Sequence, residues 1–239
     1  MRKFLNGPWV LLMPTLIILT CVVLLPLLLS LWTSFTPFKL TKPDTLYRFV
    51  GFRNYERLIG DFDFWIAFGR TVLFLAIALN LELVFGLGIA LLINKITYGQ
   101  RTLRTLMMFP MMFSPILVGF QWKYIFNDNI GLMNNFLREF GVIQPIPWLV
   151  DGILANVSIM AAEIWSSTSV FAILLLAGLL GIPKDPIEAA KVDGCNSWQV
   201  FKNITLPFLM PFVFIAMTIR SLDVARAYDI VQMMTGGGP

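Results

Sequence analysis

The chain has 239 residues, 57% hydrophobic and 13% charged, with 18 Lys and Arg against 14 Asp and Glu. A water-soluble domain carries about 25% charged residues, because its surface must be solvated; with a mean hydropathy of +0.77, much of this surface must face lipid. His is absent, which excludes His-based acid–base catalysis and most transition-metal sites, and no Gly-x-x-x-x-Gly-Lys-Ser/Thr phosphate cradle occurs.

Met1-Arg2-Lys3 is basic and precedes an apolar run that continues to about residue 35 without a small-residue cleavage site, so it reads as a retained first span. A bilayer core takes about 20 apolar residues per helix. Five stretches qualify, at 8–35, 64–94, 103–126, 156–181 and 207–227, and the fold class is an all-α polytopic transmembrane bundle. Prolines 14, 26, 110 and 115 fall inside these runs, where they are expected to kink helices. Cys21 lies in an apolar run and Cys195 in a polar loop far along the chain, so no structural disulfide between them is expected.

The connections at 37–63 and 127–155 are long and mixed, 95–102 is short and basic, and 182–206 is polar. With a cytoplasmic N-terminus, Arg2, Lys3, Lys95, Arg101, Arg104, Lys184, Lys191 and Lys202 fall inside, as the positive-inside rule favours. The first outer loop, with five basic residues, runs against that bias. The net charge of +4 is thus assigned to membrane edges, with lipid and not nucleic acid as the partner.

A charge at the bilayer centre is costly and asks for a reason. Asn80 and Glu82 lie mid-span in the second stretch, where Glu82 can pair with Arg70 or Arg220. Met107, Met108, Met111 and Met112 read as packing or lipid contact, and no metal site is expected. Glu163, followed by Ser166, Ser167, Thr168 and Ser169 and beside Trp165, either lines a cavity or, for the hydroxyls, bonds between packed helices. Arg220 and Asp223, three apart, suit a helix-surface pair.

Between the fourth and fifth spans the chemistry predicts a helical hairpin outside the bilayer. Asp185 suits an N-cap, Pro186 the first helical position and Glu188 the third, while Gly194 can end the helix in a left-handed conformation. A second helix can start at Asn196, with Gln199 three residues on, and is expected to finish before Pro207. Ala189 and Ala190 permit close backbone approach, and Ile187, Val192, Trp198 and Phe201 offer apolar contact.

Glu188-Ala189-Ala190, then Gly194, then Ile204-Thr205-Leu206-Pro207 resembles the EAA loop of binding-protein-dependent ABC importer permeases. Asp193, Trp198 and Phe201 stand where the carbohydrate branch has Asp, Trp and Phe; Cys195 departs from its usual Ala. Phe49-Val50-Gly51-Phe52-Arg53-Asn54-Tyr55 with Phe64-Trp65 is similar to the family's first outer loop, and Thr235-Gly236-Gly237-Gly238-Pro239 to a run in its sugar and polyol permeases. The likeness covers nearly the whole chain, 1–239, as one permease domain, and members usually have six core spans, so a C-terminal sixth is expected beyond this sequence.

The resemblance implies a multi-pass subunit of a bacterial or archaeal inner membrane. It implies a second permease, a cytoplasmic ABC ATPase dimer carrying ATP and Mg, and an external substrate-binding protein as partners. No cofactor and no catalysis then belong to this chain. Glu188, Ala189, Ala190, Asp193, Gly194, Ile204, Leu206 and Pro207 become the ATPase-coupling residues, and Glu163, Ser166, Ser167, Thr168, Glu82 and Asn80 candidates for the path of a sugar or polyol. The alternatives are import of another solute (a phosphorylated polyol, polyamine or amino acid) or, against the lack of an inverted repeat, an ATPase-independent transporter.

Overall fold

The computed structural model describes residues 8–238; the basic start at Met1-Arg2-Lys3 and the closing Pro239 lie outside them. The described elements are helices, apart from one isolated bridge between Lys39 and Lys42. In chain order they are α1 (Pro8–Leu19), α2 (Leu25–Ser34), α3 (Arg53–Ile59), α4 (Phe62–Lys95), α5 (Gln100–Met108) and α6 (Pro115–Ile125). Then come α7 (Leu132–Glu139), α8 (Gly152–Leu180), α9 (Lys184–Val192), α10 (Ser197–Val200), α11 (Leu206–Val224) and α12 (Tyr228–Thr235). The chain divides into two compact units, Met1–Gly69 and Arg70–Pro239.

Among the described residues, four continuous helical runs are long and apolar enough to cross a bilayer: Leu11–Ser34, Phe62–Lys95, Gly152–Leu180 and Ser197–Val224, of 24, 34, 29 and 28 residues. The expected span at 103–126 is not one helix. It breaks between Met108 and Pro115 into α5, a 3-10 turn at Pro110–Met112, and α6. Proline's ring disfavours helical backbone at the preceding residue, and Ser114 before Pro115 is extended, at φ −66° and ψ 148°. Ser114 then caps α6 by accepting the Leu117 N–H. The Ser169 hydroxyl of α8 donates to the Met107 carbonyl at 2.6 Å, satisfying a group near the break.

Two other prolines are absorbed differently. π-turns at Thr20–Leu24 and Phe201–Thr205 each stop two residues before a proline, Pro26 and Pro207. A π-turn sets the hydrogen bonds one residue out of step, which relieves the carbonyl ring clash and the missing N–H of a following proline. The second hairpin helix therefore does not finish before Pro207; it runs unbroken from Ser197 to Val224.

In the first unit, the end of α2 is held by the segment that follows it. Asn54 donates to the carbonyls of Ser34 and Thr36 at 2.9 and 2.8 Å, groups a helix end leaves without partners. The Tyr55 hydroxyl bonds Ser34 Oγ at 2.7 Å, and Phe35 packs its ring among Phe49, Phe52 and Tyr55. This accounts for the Phe49-to-Tyr55 motif locally. The 127–155 connection is similarly built around buried Asn134, which bonds the backbones of Asp128 and Ile146 and the Trp148 indole.

In the second unit, Ala78, Ala90, Ala162, Ala172 and Ala216 are wholly buried, the small-residue contacts that let membrane helices approach. α8 is the central element, packed by α5, α6, α11 and α12. α12 folds back along α6, and Gly119 makes this approach possible, since a Cβ there would lie 2.9 Å from Met233 Cβ and 3.3 Å from Ile230 Cα. Gly119→Leu is expected to push α12 off α6 at a cost of about 1–3 kcal/mol, visible as a lower melting temperature in detergent and faster proteolysis within 228–235.

Candidate functional site

Three helices bring ionisable side chains to one buried point. Glu82 of α4 is 0% exposed, Glu163 of α8 6% and Arg220 of α11 6%. Arg220 meets Glu82 with two hydrogen bonds, Nε to Oε2 at 3.1 Å and Nη2 to Oε1 at 3.3 Å. Nη2 also donates to Glu163 Oε1 at 2.6 Å, and Nη1 to Asp223 Oδ2 at 3.3 Å. Glu163 Oε1 further accepts the Ser167 hydroxyl at 3.2 Å. A planar guanidinium presents its donors in a fixed fork, which suits a shared role of this kind.

Of the two partners open to Glu82, the structure takes Arg220. The Arg220–Asp223 pair forms, yet it is not a helix-surface pair. Arg220 points inward, and only Asp223 is mostly exposed.

A cavity of about 360 Å³ lies beside this cluster, lined by Glu163, Ser166, Ser167, Arg220, Asp223, Arg226 and Asp229, with Met111, Phe113 and Pro115 among its apolar walls. Of the candidate pathway residues, Glu163, Ser166 and Ser167 line it. Glu82 does not; it sits behind Arg220 and holds it. Thr168 turns back to the Ile164 carbonyl at 2.6 Å, and exposed Asn80 to the Ala76 carbonyl at 2.7 Å, because each side chain can reach the previous turn of its own helix. Neither is in the lining. Trp165 is also off the lining, packed against Trp122, and Phe113 supplies the aromatic wall instead.

Phe113 and Asp229 were not apparent from the sequence as site residues. Phe113 reaches the cavity through the break before Pro115, and Asp229 through the fold-back of α12, whose start after Ala227 follows no strong stop signal.

The hairpin is the second constellation. α9 ends as expected: Gly194 has φ +81°, its N–H bonds the Lys191 carbonyl at 3.1 Å, and the Cys195 N–H bonds the Ala190 carbonyl at 2.9 Å. This paired closure satisfies two end carbonyls and favours glycine at the left-handed position. Asn196 and Gln199 form the expected capping box, at 2.8 and 2.9 Å. The start of α9 differs. Pro183, extended at ψ 143°, occupies the cap position, so Asp185 lies within the first turn and makes no cap hydrogen bond. Its charge still suits the positive helix start.

Glu188, Ala189, Asp193 and Gly194 are exposed, whereas Ala190 turns inward and is buried. Ile204 and Leu206 are half-buried in the widened turn and its continuation, and Pro207 is exposed. Val192 is 88% and Trp198 67% exposed, so the hairpin carries apolar surface that this chain leaves open. Ile187 and Phe201, together with one side of Trp198, line a cavity of about 580 Å³ with Leu91, Lys95 and Leu179.

Residues 82–239 match the family described as binding-protein-dependent transport system inner membrane component. The chain is 36% identical over 234 residues to the trehalose/maltose transport system permease protein MalF of Thermococcus litoralis, covering 97% of this chain and 77% of that one. It is 30% identical over 226 residues to the trehalose transport system permease protein SugA of Mycobacterium tuberculosis, covering 94% and 71%. In fold it matches a chain of a bacterial ABC transporter involved in import of the acidic polysaccharide alginate, with a TM-score of 0.81 at 21% identity over 98% of this chain and 80% of that one.

Removing one partner of a buried ion pair leaves a charge uncompensated, at a cost of about 3–5 kcal/mol. Arg220→Met should therefore lower the melting temperature of the detergent-solubilised protein strongly. The double change Glu82→Met with Arg220→Met should be less damaging than the two single effects added together, as a double-mutant cycle of melting temperatures would show.

Proposed function

The chain belongs to the family of binding-protein-dependent transport system inner membrane components, and from that premise we propose that it is the permease subunit of an ATP-driven importer for a sugar or polyol. It is a multi-pass inner-membrane transport subunit. Its cargo, by this reading, is delivered by an external binding protein, and the relatives named for trehalose and maltose transport support a saccharide.

ATP and Mg belong to a separate ATPase dimer, and a second permease completes the pore. The N-terminus is cytoplasmic, which places the hairpin at 182–206 on the ATPase side. The observation that carries the proposal is that hairpin: a helix closed at Gly194, with Glu188, Ala189 and Asp193 open and making no side-chain hydrogen bond among the described residues, beside exposed Val192 and Trp198. A preformed element of this kind docks at a lower entropic cost than a loop that must first be ordered. Ala190, Ile204, Leu206 and Pro207 shape and hold the element, while Glu188, Ala189, Asp193 and Gly194 present it. Glu163, Ser166 and Ser167 place hydroxyl-binding groups on the cargo path.

Co-purification of the chain with its ATPase tests the docking. Val192→Asp together with Trp198→Asp should abolish capture of the ATPase while the chain still inserts in the membrane. Gly194→Val, which forces a side chain into left-handed backbone at about 1–2 kcal/mol, should reduce cargo-stimulated ATP hydrolysis. Retained assembly and stimulated hydrolysis in both variants would sink the proposal, and uptake that persists without the ATPase would support a self-sufficient transporter.

A further inference from the structure

We propose that the cavity beside Arg220 accepts an uncharged, hydroxyl-rich cargo and rejects its anionic counterparts, with Glu163 as the discriminating residue; this rests on reading the cavity as part of the cargo path. Glu163 is all but buried, yet only its Oε1 is engaged, by Arg220 and Ser167. Oε2 makes no hydrogen bond among the described residues, on a side chain that lines the cavity. A carboxylate oxygen that opens on a cavity and has no donor from the protein is an acceptor for a hydroxyl and repels another anion.

The cation beside it offers an anion little. A guanidinium has five N–H donors, and four hydrogen bonds already run from Arg220 to Glu82, Glu163 and Asp223. The charge balance agrees. Glu163, Asp223 and Asp229 face Arg220 and Arg226 in the lining, an excess of one negative charge. Guanidinium donors, carboxylate acceptors, the hydroxyls of Ser166 and Ser167 and the Phe113 ring together suit a molecule with hydroxyls of both senses and an apolar face. Arg226 on the same wall weighs against a polycation.

The test uses the chain assembled with its partner permease and ATPase in nanodiscs. Cys21 and Cys195 are replaced by Ser, and the lining residue Val170 by Cys as a reporter, whose rate of maleimide labelling is followed. Saturating maltose or trehalose should slow labelling by about an order of magnitude by occupying the cavity. Maltobionate, trehalose 6-phosphate and spermidine should leave the rate unchanged. Glu163→Gln, which keeps an acceptor for Arg220 and Ser167, should let maltobionate protect while maltose still does. Asp223→Asn, on an exposed side chain, should shift maltobionate in the same direction by less, and it serves if the Glu163 variant does not assemble.

Equal protection by maltose and maltobionate in the unchanged lining would overturn the inference and leave the saccharide path standing. Protection by none of the sugars, or by spermidine alone, would overturn the path itself.

Discussion

Arg220 is the point on which the second unit's arrangement turns. A guanidinium taken out of water is costly unless its donors and charge are met with good geometry, and here the groups that meet it come from far along the chain. Glu82 is 138 residues away in sequence and Glu163 57, so α4, α8 and α11 must come together for Arg220 to be satisfied at all. The apolar contacts between these helices are non-directional and would tolerate rotation or sliding. The bidentate bond to Glu82 would not, and so the ion cluster fixes the register in which these helices meet. The same register places Glu163 with one oxygen held and the other open, which is why fold and site cannot be separated at this position.

Much of this was legible in the sequence. Four apolar runs became helices, three of them near the expected limits and the last starting ten residues early at Ser197, because a bilayer imposes length and apolarity directly on local composition. Gly194, Asn196 and Gln199 were readable for a similar reason: helix ends are closed by near neighbours whose chemistry is local. Asp185 was misplaced by two positions, since Pro183 could start the helix earlier and the sequence does not rank the two starts.

The cavity was legible only in part. Glu163 announced itself as a charge mid-span, but the sequence could not say that Asn80 and Thr168 would spend their polar groups on their own helices. Nor could it show that Arg220 would face inward, or that Phe113 and Asp229 would arrive through a broken helix and a fold-back. Those are outcomes of tertiary packing between segments that share no local signal.

One consequence of the unbroken Ser197–Val224 helix is mechanical. Trp198 on the open hairpin and Arg220 in the ion cluster stand on the same rod, about 33 Å apart at 1.5 Å per residue. If the rod is stiff and pivots at its middle, a tilt of about 5° moves each end by about 1.5 Å. Hydrogen bonds weaken steeply once donor and acceptor part by less than that. A lever of this length would turn a small displacement of the hairpin into the loss or gain of the Arg220 contacts, provided that the π-turn at Phe201–Thr205 and the prolines after it do not bend.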